Sequence, residues 1–147
     1  MALKIAGLSR TLCELIWFLG GSLPLRNNQT RGWYGEWLAR RYLKRKNLSV
    51  LKKNWRSPQD ARREIDLVCL EGECLVFVEV RARSASSLNS GYYSINYQKK
   101  NTLLRGCLDF LNQNKDRYNT YRFDVVEIDL AESHNKLFHH ENVSLFP

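Results

Sequence analysis

The stretch REIDLVCLEGECLVFVEVRARS, residues 63–84, decides the fold. Two runs of branched and aromatic apolar residues flank a short acidic and glycine-containing break, so the stretch predicts a β-hairpin with strands over 64–70 and 74–82. Asp66, Glu79 and Arg81 stand among these apolar residues. A carboxylate buried without a partner either costs several kcal/mol or takes up a proton, so something must compensate the two acids. With Glu71-Gly72 as a two-residue turn, Leu70 faces Glu73, Asp66 faces Phe77 and Glu64 faces Glu79. Side chains alternate along a strand, so Asp66, Glu79 and Arg81 project to one face, with Asp66 diagonal to Glu79 at roughly 7 Å. One residue more or less in the loop would turn Asp66 to the other face. That other face, Ile65, Leu67 and Cys69 with Val76, Val78 and Val80, is wholly apolar and must pack on a helix.

Upstream, RGWYGEWLARRYLKRKN (31–47) is amphipathic, with Trp37, Leu38, Tyr42 and Leu43 on the apolar side and Glu36 at its border. LSVLKKNWR predicts a first strand and SPQDA a turn. Downstream, RSASSLNSGYYS (83–94) is a Ser, Gly and Asn loop, QKKNTLLRGCLDFLNQNK a second amphipathic helix, and YRFDVVEIDL a Val- and Ile-rich strand. A strand, helix and strand in succession imply a crossover, so strands 74–82 and 121–130 should be parallel neighbours or near neighbours. The order α-β-β-β-α-β is that of an α/β fold, a mixed sheet flanked by helices, over residues 31–147.

Residues 1–30 form a separate segment: Leu8, Leu12, Leu15, Ile16 and Leu19 recur at helical spacing before Gly20-Gly21. This helix is too short, and too interrupted by Glu14, to span a membrane. It is left to dock on the domain, a partner or a membrane surface.

At 147 residues and 44% hydrophobic, the chain can bury a core without staples. The four cysteines show no CxxC pair, which fits reduced core thiols in a cytoplasmic protein. His134, His139 and His140 fall in a polar C-terminal segment and are expected in a solvated loop. The net charge of +8 is unevenly spread: Arg40, Arg41, Lys44, Lys52, Lys53 and Arg62 lie in a basic stretch opposed only by Glu36 and Asp60. Clustered Lys and Arg favour a nucleic-acid surface, because neutralising phosphates releases counterions.

Two neighbouring carboxylates repel unless a cation lies between them. Oxygen ligands of this kind suit Mg²⁺ or Mn²⁺, which use one or two protein carboxylates with waters and substrate phosphate. The other reading of the same residues is an ion network of Asp66 and Glu79 with Arg81, Arg62 or Arg63. Spacing alone leaves both open.

The segments GEWLARRYL, NWR, REIDLVCLEGECLVFVEVRAR, QKK before a Leu-rich helix, and RFDVVEID resemble, in order and spacing, the YraN-like family of bacterial proteins, a branch of the PD-(D/E)xK nuclease superfamily. The likeness covers about residues 31–130. It implies a restriction endonuclease-like core with a divalent metal held by an Asp and a Glu on adjacent strands. Residue by residue, Asp66 matches the metal-binding Asp, Glu79 the acid of the signature, and Val80 would offer its backbone carbonyl to the metal. Glu36 matches the acid of the first helix, and Lys99 a lysine opening the helix after the loop. Arg81 stands where the signature has lysine. An arginine can hold phosphate but stays protonated and cannot act as a base; metal-bound water could still be ionised enough to attack, and Lys99 could also supply the missing ammonium.

The resemblance thus implies a metal-dependent endonuclease acting on DNA, branched or otherwise structured DNA included. Arg81 and Lys99 would hold the scissile phosphate, Arg83 and Lys100 would extend the basic surface, and Trp33, Tyr92, Tyr93 and Tyr97 would stack on bases. Arg81 also supports an alternative, a nucleic-acid-binding module that keeps the fold without the chemistry. An interaction protein docked through its N-terminal helix on lipid is the least favoured expectation. No small-molecule cofactor is expected, and a homodimer is left open.

Overall fold

The computed structural model describes residues 8–84, 95–115, 117–131 and 134–146, so Tyr92 and Tyr93 lie outside the described residues. In chain order the elements are α1 (Arg10–Phe18), α2 (Asn28–Arg45), β1 (Ser49–Arg56), β2 (Glu64–Glu71), β3 (Cys74–Ser84), α3 (Tyr97–Gln113), β4 (Thr120–Leu130) and β5 (Lys136–His140). The strands form a five-stranded sheet in the order β1-β2-β3-β4-β5. All neighbours are antiparallel except β3 and β4, which run parallel as the α3 crossover demands. The architecture is the mixed, helix-flanked sheet that the sequence predicts, with one added edge strand.

The hairpin register differs from expectation. Its turn is Gly72-Glu73, because Glu71 pairs with Cys74 and Leu70 with Leu75. Two-residue turns that match strand twist need positive φ at their first central position, and Gly72 adopts it at +56° where Glu71 would be strained. The pairing therefore shifts by two residues, which keeps the predicted faces of Leu67, Val68, Cys69, Val76, Phe77 and Val78, and Asp66 and Glu79 come just beyond the last pair, Leu67 with Val78. Ile65 is a second correction. It packs with Val68 and Leu103 rather than beside Leu67. The reversal falls where the β2–β3 ladder has ended, at Leu67 opposite Val78, and where β1 carries Asn54 at a left-handed φ of 47°.

Each face of the sheet is covered by one helix. Leu67, Cys69, Val76, Val78, Val126 and Ile128 pack under Ala39 and Leu43 of α2. Val68, Leu75, Phe77, Phe123 and Val125 pack under Leu103, Cys107 and Phe110 of α3. The approach of α2 to β3 depends on Gly35, where a Cβ would lie 2.4 Å from that of Ala82. That contact brings the next residue, Glu36, down to the sheet.

The helix α1 docks on the domain, the first of the three docks left open by the sequence. Ser9 caps it, and Gly20 ends it at φ +81°. Its buried residues are Cys13 and Trp17, not the leucines, and Leu12, Leu15, Phe18 and Leu19 face outward. Trp17 wins because it stacks into aromatic partners on α2, with ring centroids 4.9 Å from Tyr34 and 5.9 Å from Trp37. Glu14 adds an ion pair to Arg40 at 2.9 Å. Among the described residues no helix is long and apolar enough to cross a membrane.

His139 and His140 are not in a solvated loop but end β5, opposite Val126 and Val125, whereas His134 is exposed outside the strands, as expected. His139 is buried because its Nε2 lies 2.9 Å from the fully buried carboxylate of Asp124. Arg122 and the Asn142 backbone N–H complete the donors to that carboxylate.

Candidate functional site

The open end of the hairpin places the acids. Beyond the last ladder pair, the Val80 N–H no longer meets a strand carbonyl and donates instead to Asp66 Oδ2 at 2.8 Å. A residue's N–H and C=O point to the same edge of a strand, so the Val80 carbonyl faces this gap too. Glu79, one residue earlier, projects from the α3 side of β3 and is only 4% exposed. Its Oε1 lies 3.3 Å from Lys99 Nζ and 3.8 Å from Arg81 Nη1. Its Oε2 is buried and, among the described residues, has no hydrogen-bond partner.

This environment sets the charge state of Asp66. Burial pushes its carboxyl well above the usual range, and the Glu79 charge pushes it further. The Val80 N–H opposes the rise, Glu36 adds to it, and the Lys99 ammonium lowers it. The Asp66–Glu79 pair is therefore short of positive charge. That shortage is the property a bound cation would relieve.

Lys99 owes its position to the start of α3: Asn96 caps the helix by accepting the Lys99 backbone N–H at 2.8 Å, which places that residue in the first turn beside Glu79. Lys99 and Arg81 thus meet on one oxygen of Glu79. Arg62 and Arg63 do not join them. Arg62 pairs with Asp60, whose carboxyl its guanidinium pulls down to about 2, and Arg63 pairs with Asp109 at 2.8 Å.

Glu36 reaches the neighbourhood, since its charge acts on Asp66, but its own bonds run elsewhere. Its Oε2 accepts from Arg10 Nη2 at 2.6 Å and from Asn54 Nδ2 at 3.0 Å. Among the described residues, no three of His, Cys, Asp and Glu gather as a metal-holding group. The donors brought together are the two carboxylates and one strand edge. Arg10 and Asn54 were missed by sequence reasoning. Nothing in the α1 segment marks Arg10, and only the left-handed φ of Asn54 singles that residue out.

The basic residues divide. Arg41, Lys44, Lys52, Lys53 and Arg62 are exposed, whereas Arg83 and Lys100 are partly buried. Lys53 pairs with Leu67, next to Asp66, so the β1 edge carries positive charge up to the site. Arg40 departs from the expected surface role, because it is drawn inward by Glu14 and holds α1. Of the expected stacking residues, Tyr97 is 85% exposed and Trp33 partly buried.

Comparison with known sequences places this chain. The pattern of the uncharacterised protein family UPF0102 matches residues 35–128, which include Glu36, Asp66, Glu79, Arg81 and Lys99 but leave α1 outside. A UPF0102 protein of Alkaliphilus oremlandii is 36% identical over 118 residues, covering 78% of this chain and 97% of that one. UPF0102 proteins of Lawsonia intracellularis and Legionella pneumophila are 36% identical over 115 residues and 37% over 103, covering 78% and 69% of this chain and 85% and 84% of theirs. On the profile match, these relatives and the fold, the chain belongs to UPF0102, the YraN-like family.

Proposed function

We propose that the protein is a divalent-metal-dependent nuclease that hydrolyses DNA phosphodiesters, with branched or otherwise structured DNA among its substrates. The observation that carries this reading is the desolvated pair of Asp66 and Glu79, with Glu79 Oε2 buried and unpartnered among the described residues. Two carboxylates and a strand carbonyl suit Mg²⁺ or Mn²⁺, which take few protein oxygens and fill their shell with water and phosphate. Asp66, Glu79 and Val80 are the residues that would hold the ion. When bound, such an ion lowers the pKa of water and neutralises charge on phosphoryl oxygens.

The remaining residues act on the substrate. Lys99 and Arg81 stand at the lip of the site on Glu79 Oε1, where an arriving phosphate can take over their charge. Arg81 serves as a fixed cation that grips phosphate oxygens, and Lys99 contributes the mobile ammonium. Lys44, Lys52, Lys53 and Arg41 bind flanking phosphates and orient the duplex.

A cleavage assay on duplex, single-stranded and four-way-junction DNA with Mg²⁺, Mn²⁺ or EDTA tests the reading. Metal-dependent cutting that Asp66→Asn abolishes, with DNA binding retained, is the expected result. Cutting that survives Asp66→Asn would sink the metal assignment. Binding that holds steady between low and moderate salt would sink the phosphate contacts, since several Lys and Arg contacts impose a steep salt slope.

One observation favours a second reading. Glu79 already has two cations on one oxygen, as in a site that holds nucleic acid without cutting it. That module is the right description if neither the natural chain nor Arg81→Lys cuts any of these substrates while both bind them.

A further inference from the structure

The segment before the family-matched region reaches the site through Arg10. Arg10, the first residue of α1, spreads its guanidinium over three acceptors from three elements: Nε to Glu14 Oε1 at 3.0 Å, Nη1 to Asn54 Oδ1 at 2.7 Å and Nη2 to Glu36 Oε2 at 2.6 Å. Asn54 turns its own Nδ2 to the same Glu36 oxygen at 3.0 Å. Two donors therefore hold Oε2, and Oε1 has no hydrogen-bond partner among the described residues. Asn54 lies on β1 between Lys53 and Trp55, which pair with Leu67 and Ile65, so the Glu36 carboxylate that it binds lies at the Asp66 end of β2.

We infer that Arg10 is a positioning residue of the metal site, and that α1 is docked so as to hold Glu36 where its free oxygen meets the water shell of the ion. This rests on the metal-dependent reading above. Carboxylates that serve metals are commonly fixed by such outer hydrogen bonds, and losing one typically weakens metal binding by about 10- to 100-fold. The rest of the docking, through Trp17 and the Glu14–Arg40 pair, keeps α1 in place when Arg10 changes. Cys13, buried under α1, reports on that docking.

The test measures Mn²⁺ dissociation constants for the full chain, Arg10→Ala, Asn54→Gly and the double variant, with Cys13 thiol labelling run alongside. Glycine at 54 removes the side chain without straining the left-handed backbone. The expected result is weaker Mn²⁺ binding in Arg10→Ala by about 10-fold or more. Asn54→Gly should weaken it less, and the double variant no more than the worse single one, because both act on one carboxylate oxygen. Unchanged Mn²⁺ affinity in Arg10→Ala with Cys13 still protected overturns the inference. If Cys13 becomes reactive in Arg10→Ala, Asn54→Gly decides: full affinity there overturns the inference, and reduced affinity upholds it. A natural chain that binds no Mn²⁺ overturns both this inference and the metal-dependent reading, whereas the other failures leave that reading standing.

Discussion

Asp66 and Asp124 are both carboxylates set into the same sheet, yet their surroundings are opposite. Asp124 is fully buried and fully served: Arg122 and His139 reach its oxygens, and the Asn142 N–H donates to Oδ1 at 2.9 Å. Burial alone would push its carboxyl up, but these donors outweigh burial and hold it below the ordinary range. Arg122 is tied in turn to Glu71. Asp66 has one backbone N–H, two neighbouring acids and a rise in place of a fall. The first arrangement has finished its electrostatics within the protein. The second lacks such donors, and a carboxyl raised in this way is the kind of group that marks a candidate functional site.

Exchanging the two acids for amides should separate them most sharply. Asp66→Asn removes a repulsion as well as a ligand, so cleavage should fall by at least about 100-fold, with folding unharmed. Asp124→Asn should leave the site intact but strand Arg122 and His139, at a cost of about 3 to 5 kcal/mol. Urea unfolding and cleavage rates measured on both variants check the pair. A severely unstable Asp66→Asn, or a fully stable Asp124→Asn, would erase the distinction.

Metal should stabilise only through one of the two sites. At a hundred times its dissociation constant, a ligand of the folded state adds about 2.7 kcal/mol, or roughly 5 to 10 °C in Tm for a chain of this size. Mn²⁺ should raise the Tm of the natural chain and of Asp124→Asn but leave Asp66→Asn unmoved. Equal shifts in all three would place the ion elsewhere.

The contrast between these acids was only half legible in sequence. Asp66 and Glu79 stood out because a period of two makes any polar residue in an apolar strand conspicuous, and the predicted faces of the paired residues between them survived even though the turn fell one position later. Alternation depends on parity, and a shift of two preserves it. Asp124 carried the same signal in FDVVEID, but its answer lay in β5, whose polar KLFHH gives no strong strand pattern. The two main helices and the parallel β3–β4 pair were legible because their periodicity spans many residues. The α1 face was not: a stripe of leucines reads as buried until Trp17 finds an aromatic cleft. Arg10 at Glu36 is a contact across 26 residues of chain, set by docking rather than by any local pattern.

Stability against pH sharpens the contrast by sign. Asp66 has a folded pKa raised above the ordinary 3.8, so the unfolded chain loses its proton first. Its contribution is fully present below that pH and is lost as pH rises through the folded value. Asp124 has a lowered folded pKa, so its contribution is present above 3.8 and lost as pH falls through the folded value. Metal-free unfolding titrations should show Asp66→Asn flattening the decline on the neutral side, and Asp124→Asn flattening the decline on the acid side. Reversed assignments would mean that the two environments have been misjudged.

The smallest expected effect tests whether the asymmetry depends on how closely α2 lies on β3. A Cβ at position 35 would come 2.4 Å from that of Ala82, and neither methyl has a torsion with which to escape. Gly35→Ala must therefore lift the helix, carrying Glu36 from Asp66, at about 1 to 3 kcal/mol. The donors of Asp124 come from β4, β5 and the turn after it, so its acid-side behaviour should not change. Gly32 is the control on the same helix, since nothing lies within 4 Å of its Cβ position and alanine there should gain up to about 1 kcal/mol of helix propensity. Gly35→Ala should lower both Tm and Mn²⁺ affinity while keeping the acid-side slope. A variant as stable as the natural chain would show that the helix has room to yield, and that the approach of Glu36 to the acid pair is not fixed by this contact.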